Sequence, residues 1–269
     1  MPGIATLQTE LALYSDTAVA AFEQVNTRKA GYRSHMLNLE APEQQEPLRD
    51  VRAFGLKGRN HYAAAFNPPY DGPIPGAIPF LWLRTGVIER LLKVEARVRL
   101  LGFSLFLFDA WRPQAIQHYF HDHWFPAWLR VNRPDIAEAD LPAAVAAYWA
   151  APTAVSGTGP SLSPSPHSTG AALDCTLQLA DASQAWMGSL FDDVTDIAHT
   201  DAFEGRTLLA MSDILARKHR RILYHAMAAE GFANNPTEWW HFSYGDQFWA
   251  RMTGAAEAIY GAAEPPSPI

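Results

Sequence analysis

Apolar positions change period several times along this 269-residue chain, and each change predicts an element. Val87, Leu91, Val94, Val98 and Leu101 recur at steps of four and three, the spacing of one buried helix face, and Gly102 is a natural C-terminal stop. Phe103 to Phe108 (Phe-Ser-Leu-Phe-Leu-Phe) is almost wholly apolar and reads as a buried strand. That strand ends in Asp109, and Arg112 follows before Pro113, a residue suited to opening the next helix. An aromatic-rich helix is expected over 114–130 and an alanine-rich one near 138–150. Ala171 to Leu177 reads as a second strand. Leu208, Met211, Leu215, Ile222 and Ala226 mark a long helix ended by Gly231. The basic run Arg217-Lys218-His219-Arg220-Arg221 lies in its middle as a mostly solvated face, with His219 on the apolar stripe. The aromatic run Glu238 to Tyr244 predicts a strand, and 255–263 a last helix.

The segments between these elements are read from their breakers. Residues 5–28 alternate helical and polar character, and 41–50 reads as a linker. Asn67 to Pro79 holds too many prolines and glycines for regular structure, and a loop of that length is often functional. Tyr62 or Tyr70 therefore either packs or faces a substrate. Residues 156–166 form a Gly/Ser/Pro loop, and 264–269 a frayed tail. No internal repeat is present.

Composition narrows the class without naming a chemistry. Hydrophobic residues make up 48% and charged ones 18%, which is ordinary for a globular protein that buries a sizeable core. The net charge is −7 and no basic patch is interleaved with aromatics, so nucleic acid is not an expected partner. Met1 to Glu10 lacks a basic stretch followed by a continuous apolar one, and no run approaches a membrane span, so no membrane partner is expected. The single cysteine, Cys175, excludes an internal disulfide and fits a reducing compartment, with the cytoplasm as the default. In a strand it points away from Asp174 and reads as a small buried hydrophobe. A homo-oligomer stays open.

The chemistry concentrates in two stretches. Ser165-Pro166-His167-Ser168-Thr169-Gly170-Ala171-Ala172-Leu173-Asp174 joins a histidine to a carboxylate across a glycine that lets the backbone turn. Glu238-Trp239-Trp240-His241 adds a second histidine with a carboxylate three residues before it. Two neutral imidazoles and one carboxylate suit zinc, and three protein ligands leave a fourth position for water, as a catalytic site requires. Iron or cobalt fits the same set. His167, Asp174 and His241 are thus the candidate ligands of one Zn²⁺ ion. Glu238 is the candidate base that takes the water's proton and passes it to a leaving nitrogen. Arg112 offers a rigid, permanently charged donor fork for a developing oxyanion, and Asp109 is placed to orient it. Ser168 and Thr169 read as local hydrogen-bonding residues. The rival cluster His118, His121 and His123 is weaker. On a helix His123 leaves the shared face, Asp122 is adjacent rather than facing, and solvated imidazoles explain the pattern. Neither a Gly-x-Ser-x-Gly elbow nor a His-Glu-x₂-His motif occurs.

These two motifs, with Phe108-Asp109-Ala110-Trp111-Arg112-Pro113 and Met187-Gly188-Ser189-Leu190-Phe191-Asp192, resemble the D-alanyl-D-alanine dipeptidases (the VanX-type zinc D,D-peptidases). The likeness runs from about Phe80 to Phe248 and leaves the first fifty or so residues unmatched. It implies that His167, Asp174 and His241 bind zinc, that Glu238 is the base and that Arg112 stabilises the oxyanion. It also implies that Asp192 holds the substrate's free ammonium and that Ser165 contacts the substrate backbone. A Ser-Pro turn explains Ser165 almost as well. The implied fold is α+β and hedgehog/D,D-peptidase-like: a central, mainly antiparallel sheet flanked by helices, with zinc at one face. The expected division is an extension over 1–50, a catalytic domain over 51–263 and a tail over 264–269. The expected activity is zinc-dependent hydrolysis of the D-alanyl-D-alanine dipeptide, or a related D,D-dipeptide with a free amino terminus, into two amino acids, with cell-wall metabolism as the setting. A D,D-carboxypeptidase or cell-wall endopeptidase is the alternative, and a non-catalytic zinc module a weaker one.

Overall fold

The computed structural model describes residues 11, 13–148, 163–207 and 209–265. Much of the expected 156–166 loop, the end of the alanine-rich helix, Leu208, the N-terminal decapeptide and the tail beyond 265 lie outside the described residues.

The strand expected at 103–108 forms as β4 (Ser104–Asp109), and that expected at 171–177 as β5 (Ala172–Gln178). They lie at the centre of a five-stranded sheet with β2 (Lys57–Gly58), β6 (Ala233–Asn234) and β7 (His241–Ser243). The order is β2-β4-β5-β7-β6; β2 runs parallel to β4 and every other pair is antiparallel. A separate antiparallel pair joins β1 (Leu48–Asp50) to β3 (Trp82–Arg84). β5 is buried along its whole length, although Leu173 to Gln178 alternates apolar and polar residues, so the polar side that carries Asp174 is covered as well. The fold is mixed α and β.

The helix read from the four-and-three periodicity spans Thr85–Leu100 (α2, after the short α1, Phe22–Val25), and Gly102 leaves it at φ 84°. Its apolar face is wholly buried, and it packs on β4 and on α6 (Met211–Ala229). Between them come α3 (Gln114–Tyr119), a π-turn at Phe120–Trp124, α4 (Phe125–Asn132) and α5 (Leu141–Tyr148). Pro113 is the residue just before α3 rather than its first.

Four expectations are corrected. The stripe of α6 holds only in its second half: Ile222 and Ala226 are buried as expected, but Met211 is 72% exposed and Leu215 45%, and Ala216, Arg220, Leu223 and Met227 are buried instead. Arg220 is therefore no surface residue. Its guanidinium donates to the carbonyls of Met187, Ile197 and His199, three orphan acceptors from the preceding loop. Residues 41–50 are no linker either, since Pro42–Gln45 is a 3₁₀ turn and Leu48–Asp50 is β1. The last helix is α7, Gln247–Thr253, not 255–263. Asp246 caps it by accepting from Trp249 N (2.7 Å), and Gly254 ends it at φ 77°, after which Ala258 bridges to Leu37. The strand expected from Glu238 begins only at His241, because Glu238 to Trp240 form a turn. Among the described residues no helix is long and apolar enough to cross a membrane.

Candidate active site

Cross-strand register assembles the centre. Asp109 on β4 faces Asp174 on β5, which faces His241 on β7, so three neighbouring strands bring three chemical residues into one row. A bulge between Leu107 and Asp109 shifts the register just there and re-aims Asp109. His167 arrives from the 3₁₀ turn Pro166–Thr169, which leads into β5 through Gly170 at φ 70°. A side chain at Gly170 would collide with Leu48, so glycine is required both for the turn and for the space. Ser168 Oγ donates to Ser165 O (2.8 Å) and Thr169 Oγ1 to Pro166 O (2.6 Å), the local roles expected of them. Cys175 is fully buried, and burial pushes its thiol far up from the ordinary value, so it behaves as a small hydrophobe.

His167, Asp174 and His241 form a buried group able to hold a metal ion. His167 Nε2 lies 3.1 Å from His241 Nδ1, His241 Nδ1 lies 3.1 Å from Asp174 Oδ1, and His167 Nε2 lies 3.4 Å from Asp174 Oδ2. Corners of a tetrahedron about 2.0–2.1 Å from its centre are about 3.3 Å apart, so the donor set fits a zinc-sized tetrahedral site. His167 Nδ1 donates to Ala110 O (2.7 Å), which leaves its inner nitrogen free as a lone-pair donor, and His241 Nε2 lies 3.4 Å from the hydroxyl of Ser243. Burial works against ionisation of Asp174, yet the charges and hydrogen bonds of His167 and His241 hold its carboxyl well below the usual range. A deprotonated carboxylate is the form that ligates.

Around this group the remaining candidates fall into place. Glu238 sits on the turn before β7, with Oε2 3.7 Å from His241 Nδ1, close to the donor group but outside it. Asn234 Nδ2 pins that turn by donating to Glu238 O (3.1 Å) and His241 O (3.0 Å). Arg112 donates from Nε to Asp109 Oδ2 (2.7 Å) and from Nη2 to Asp174 Oδ2 (3.2 Å) and Tyr62 Oη (3.1 Å). Burial disfavours its charge, but Tyr62, Asp109, Asp174 and Asp192 push its pKa well above the ordinary value, so it remains a cation. Asn60 holds the other oxygen of Asp109 at 2.9 Å. Asp109 thus touches Arg112 and Asn60, as an orienting residue should.

Asp192 adopts φ 60° and is buried, with the hydroxyls of Tyr62 and Tyr70 each donating to Oδ2 at 2.8 Å. Nothing in the sequence around Tyr62 and Tyr70 distinguished that role from packing. Burial first, then the charge of Asp174, pushes the Asp192 carboxyl up to about 8, against Arg112 and the two tyrosines. Between the ordinary value of 3.8 and about 8 only the folded state holds this proton, so stability from this group falls as pH rises through that window. Asp192→Asn keeps the shape, and asparagine tolerates the left-handed backbone. In metal-free protein this variant is expected to match the wild type near pH 4 and to melt progressively higher than it towards pH 9. A difference in melting temperature that does not change with pH contradicts that assignment.

Arg112, Ser165, Asp192 and Glu238 all line one cavity of about 590 Å³ together with the donor group. Its far wall was not legible in the sequence: Phe22, Asn26, Lys29 and Tyr32 come from the segment that showed no resemblance. The rival histidine cluster stays outside. His118 and His121 both bond Asp122 (3.2 and 2.7 Å), so Asp122 does face them, but the group is on the surface and away from the cavity.

A family model described as D-ala-D-ala dipeptidase matches residues 80–257. A D-alanyl-D-alanine dipeptidase of Synechocystis is 34% identical over 224 residues, 76% of this chain and 84% of that protein. A D-alanyl-D-alanine dipeptidase of Streptomyces coelicolor is 30% identical over 156 residues, 56% of this chain and 67% of that protein.

Proposed function

The chain belongs to the D-ala-D-ala dipeptidase family, and from that membership and the site geometry we infer that it is a zinc metallopeptidase. It hydrolyses the D-alanyl-D-alanine dipeptide, or a related D,D-dipeptide with a free amino terminus, into two amino acids. The observation that carries this reading is the buried His167–Asp174–His241 donor set, with Glu238 3.7 Å from one donor and Asp192 in the same cavity.

His167, Asp174 and His241 would hold the ion. Zinc at such a site supplies Lewis acidity toward the scissile carbonyl and lowers the pKa of a bound water from 15.7 to about 7. Glu238 accepts the water's proton on its carboxylate and delivers it to the nitrogen that leaves. Arg112 aims fixed positive charge at the carbonyl oxygen as it becomes an oxyanion. Its Nη1 makes only a long 3.5 Å contact to Gln117 and is the donor with most freedom to do so. Asp109 holds the guanidinium in that orientation. Asp192, ionised when a cation neutralises it, takes the substrate's ammonium, and Ser165 contacts the backbone beside it. The clamp restricts the substrate to a free amino terminus lying one residue from the cut. Residues 51–263 form the catalytic domain. The 1–50 extension packs on it, a reading supported by Phe22 N donating to Asp201 and Arg221 donating to Ser15 O.

The test is hydrolysis of D-Ala-D-Ala, N-acetyl-D-Ala-D-Ala and a longer peptide ending in D-Ala-D-Ala by zinc-loaded protein. Cleavage of the free dipeptide alone is expected, with loss on chelation and return on adding zinc. Cleavage of the blocked or longer peptide instead assigns a D,D-carboxypeptidase or endopeptidase.

A further inference from the structure

A zwitterionic dipeptide has two charged ends, and the groups described so far receive only one of them. The cavity is rich in acids. Asp174, Asp192, Asp193, Asp196 and Glu238 line it, against two lysine or arginine side chains, Arg112 and Lys29. Arg112 is already shared between two carboxylates. We propose that Lys29, contributed by the N-terminal extension, is a specificity-determining residue that binds the C-terminal carboxylate of the substrate. This rests on the dipeptidase reading and deepens it.

Position is the first argument. A chain of contacts orders the cavity: Asp192 Oδ2 to Tyr62 Oη (2.8 Å), Tyr62 Oη to Arg112 Nη2 (3.1 Å), and Arg112 Nη2 to Asp174 Oδ2 (3.2 Å). It continues from Asp174 Oδ1 to His241 Nδ1 (3.1 Å) and from His241 to Glu238 (3.7 Å). Lys29 Nζ donates to Thr237 Oγ1 at 3.2 Å, next in sequence to Glu238, so it extends this series of contacts past the base. In that series the ammonium clamp and the lysine are the two ends, with the donor group and the base between them. A bound dipeptide needs that order: amino group, cleaved bond, leaving nitrogen, carboxylate.

Rigidity is the second. Arg251 Nε on α7 donates to Arg28 O (3.0 Å) and Ala30 O (3.2 Å), gripping the backbone on both sides of Lys29. Gln247 donates to His35 O (2.6 Å), and Phe22 stacks on His199 with ring centres 4.2 Å apart. A wall held this firmly presents a preorganised charge rather than a wandering one. Charge balance is the third argument. An ammonium carries three donors, and Thr237 accounts for one. Burial lowers the Lys29 pKa, and the attraction of Glu238 partly offsets it.

The experiment compares D-Ala-D-Ala with D-alanyl-D-alaninamide, whose C-terminus is uncharged, on zinc-loaded wild type, Lys29→Met and Lys29→Arg. A charge-assisted hydrogen bond of this kind corresponds to about 10- to 100-fold in affinity. Wild type should prefer the free acid by that factor. Lys29→Met should erase the preference by raising KM for the acid while its kcat/KM on the amide stays near wild type. Lys29→Arg should keep most of the preference. An equal loss on both substrates makes Lys29 a support for Glu238 or the wall and overturns the proposal, as does an unchanged preference. The wild-type rate on D-Ala-D-Ala reads the dipeptidase assignment separately, and thermal melts show that each variant is folded.

Discussion

Glu238→Gln is expected to lower the rate of D-Ala-D-Ala hydrolysis by about 10³-fold while zinc stays bound. General-base catalysis contributes about 10²–10⁴-fold, and an amide of the same shape cannot accept the proton. The retained metal follows from geometry. The three donors lie within 3.1–3.4 Å of one another, whereas Glu238 stands 3.7 Å from His241 Nδ1, beside the group and not part of it. Its place depends on the turn that Asn234 pins, which glutamine leaves intact. The checks are steady-state kinetics together with metal content by emission spectrometry. Loss of zinc in this variant would make Glu238 a ligand, and a variant with a tenth of wild-type activity would remove it as the base.

Arg112 carries the second large effect, and two substitutions separate its two roles. Arg112 is 8% exposed, Asp109 0% and Asp174 1%. Arg112→Met leaves the fully buried Asp109 without its cation, and breaking a buried pair from one side costs about 3–5 kcal/mol. Metal-free Arg112→Met should therefore melt markedly below wild type. Zinc should recover part of the loss, because it neutralises Asp174 but does not reach Asp109 in the same way. Arg112→Lys keeps the charge and loses the fork that spans Asp109, Asp174 and Tyr62 at once. It should fold and bind zinc, yet lose about 10²–10³ in kcat with a smaller change in KM, the signature of a missing oxyanion donor. If Arg112→Lys keeps wild-type kcat, the guanidinium is structural only.

Both effects arise from a site whose parts could be read in the chain to different depths. The candidate ligands were legible because His167 and Asp174 flank a turn that only glycine allows, and because Glu238 and His241 share one short segment. The strand carrying Asp109 was legible as a continuous apolar run, and α2 as a clean period of apolar residues. In each case the deciding contacts are local or follow from one periodicity. Their mutual arrangement was not legible. The row Asp109–Asp174–His241 depends on the register of three strands and on a bulge, neither of which leaves a mark in the sequence.

Tertiary structure alone decided the rest, for one physical reason: the partner that settles each residue's role is far away in the chain. Arg220 looks like its neighbours Arg217 and Arg221, and is buried only because three loop carbonyls need a donor at that point. Asp192 is singled out in the sequence by the family motif alone, and its burial is decided by Tyr62 and Tyr70, more than a hundred residues earlier, whose hydroxyls donate to it. Residues 41–50 look like a linker until β3 supplies a strand for β1 to pair with. Lys29 lies in a segment with no motif, and it reaches the cavity because α7, at the other end of the chain, holds its backbone there. The sequence by itself determined the chemistry at the centre of the site and the elements that carry it. Long-range packing determined which charges are buried beside that centre and what closes the cavity around it.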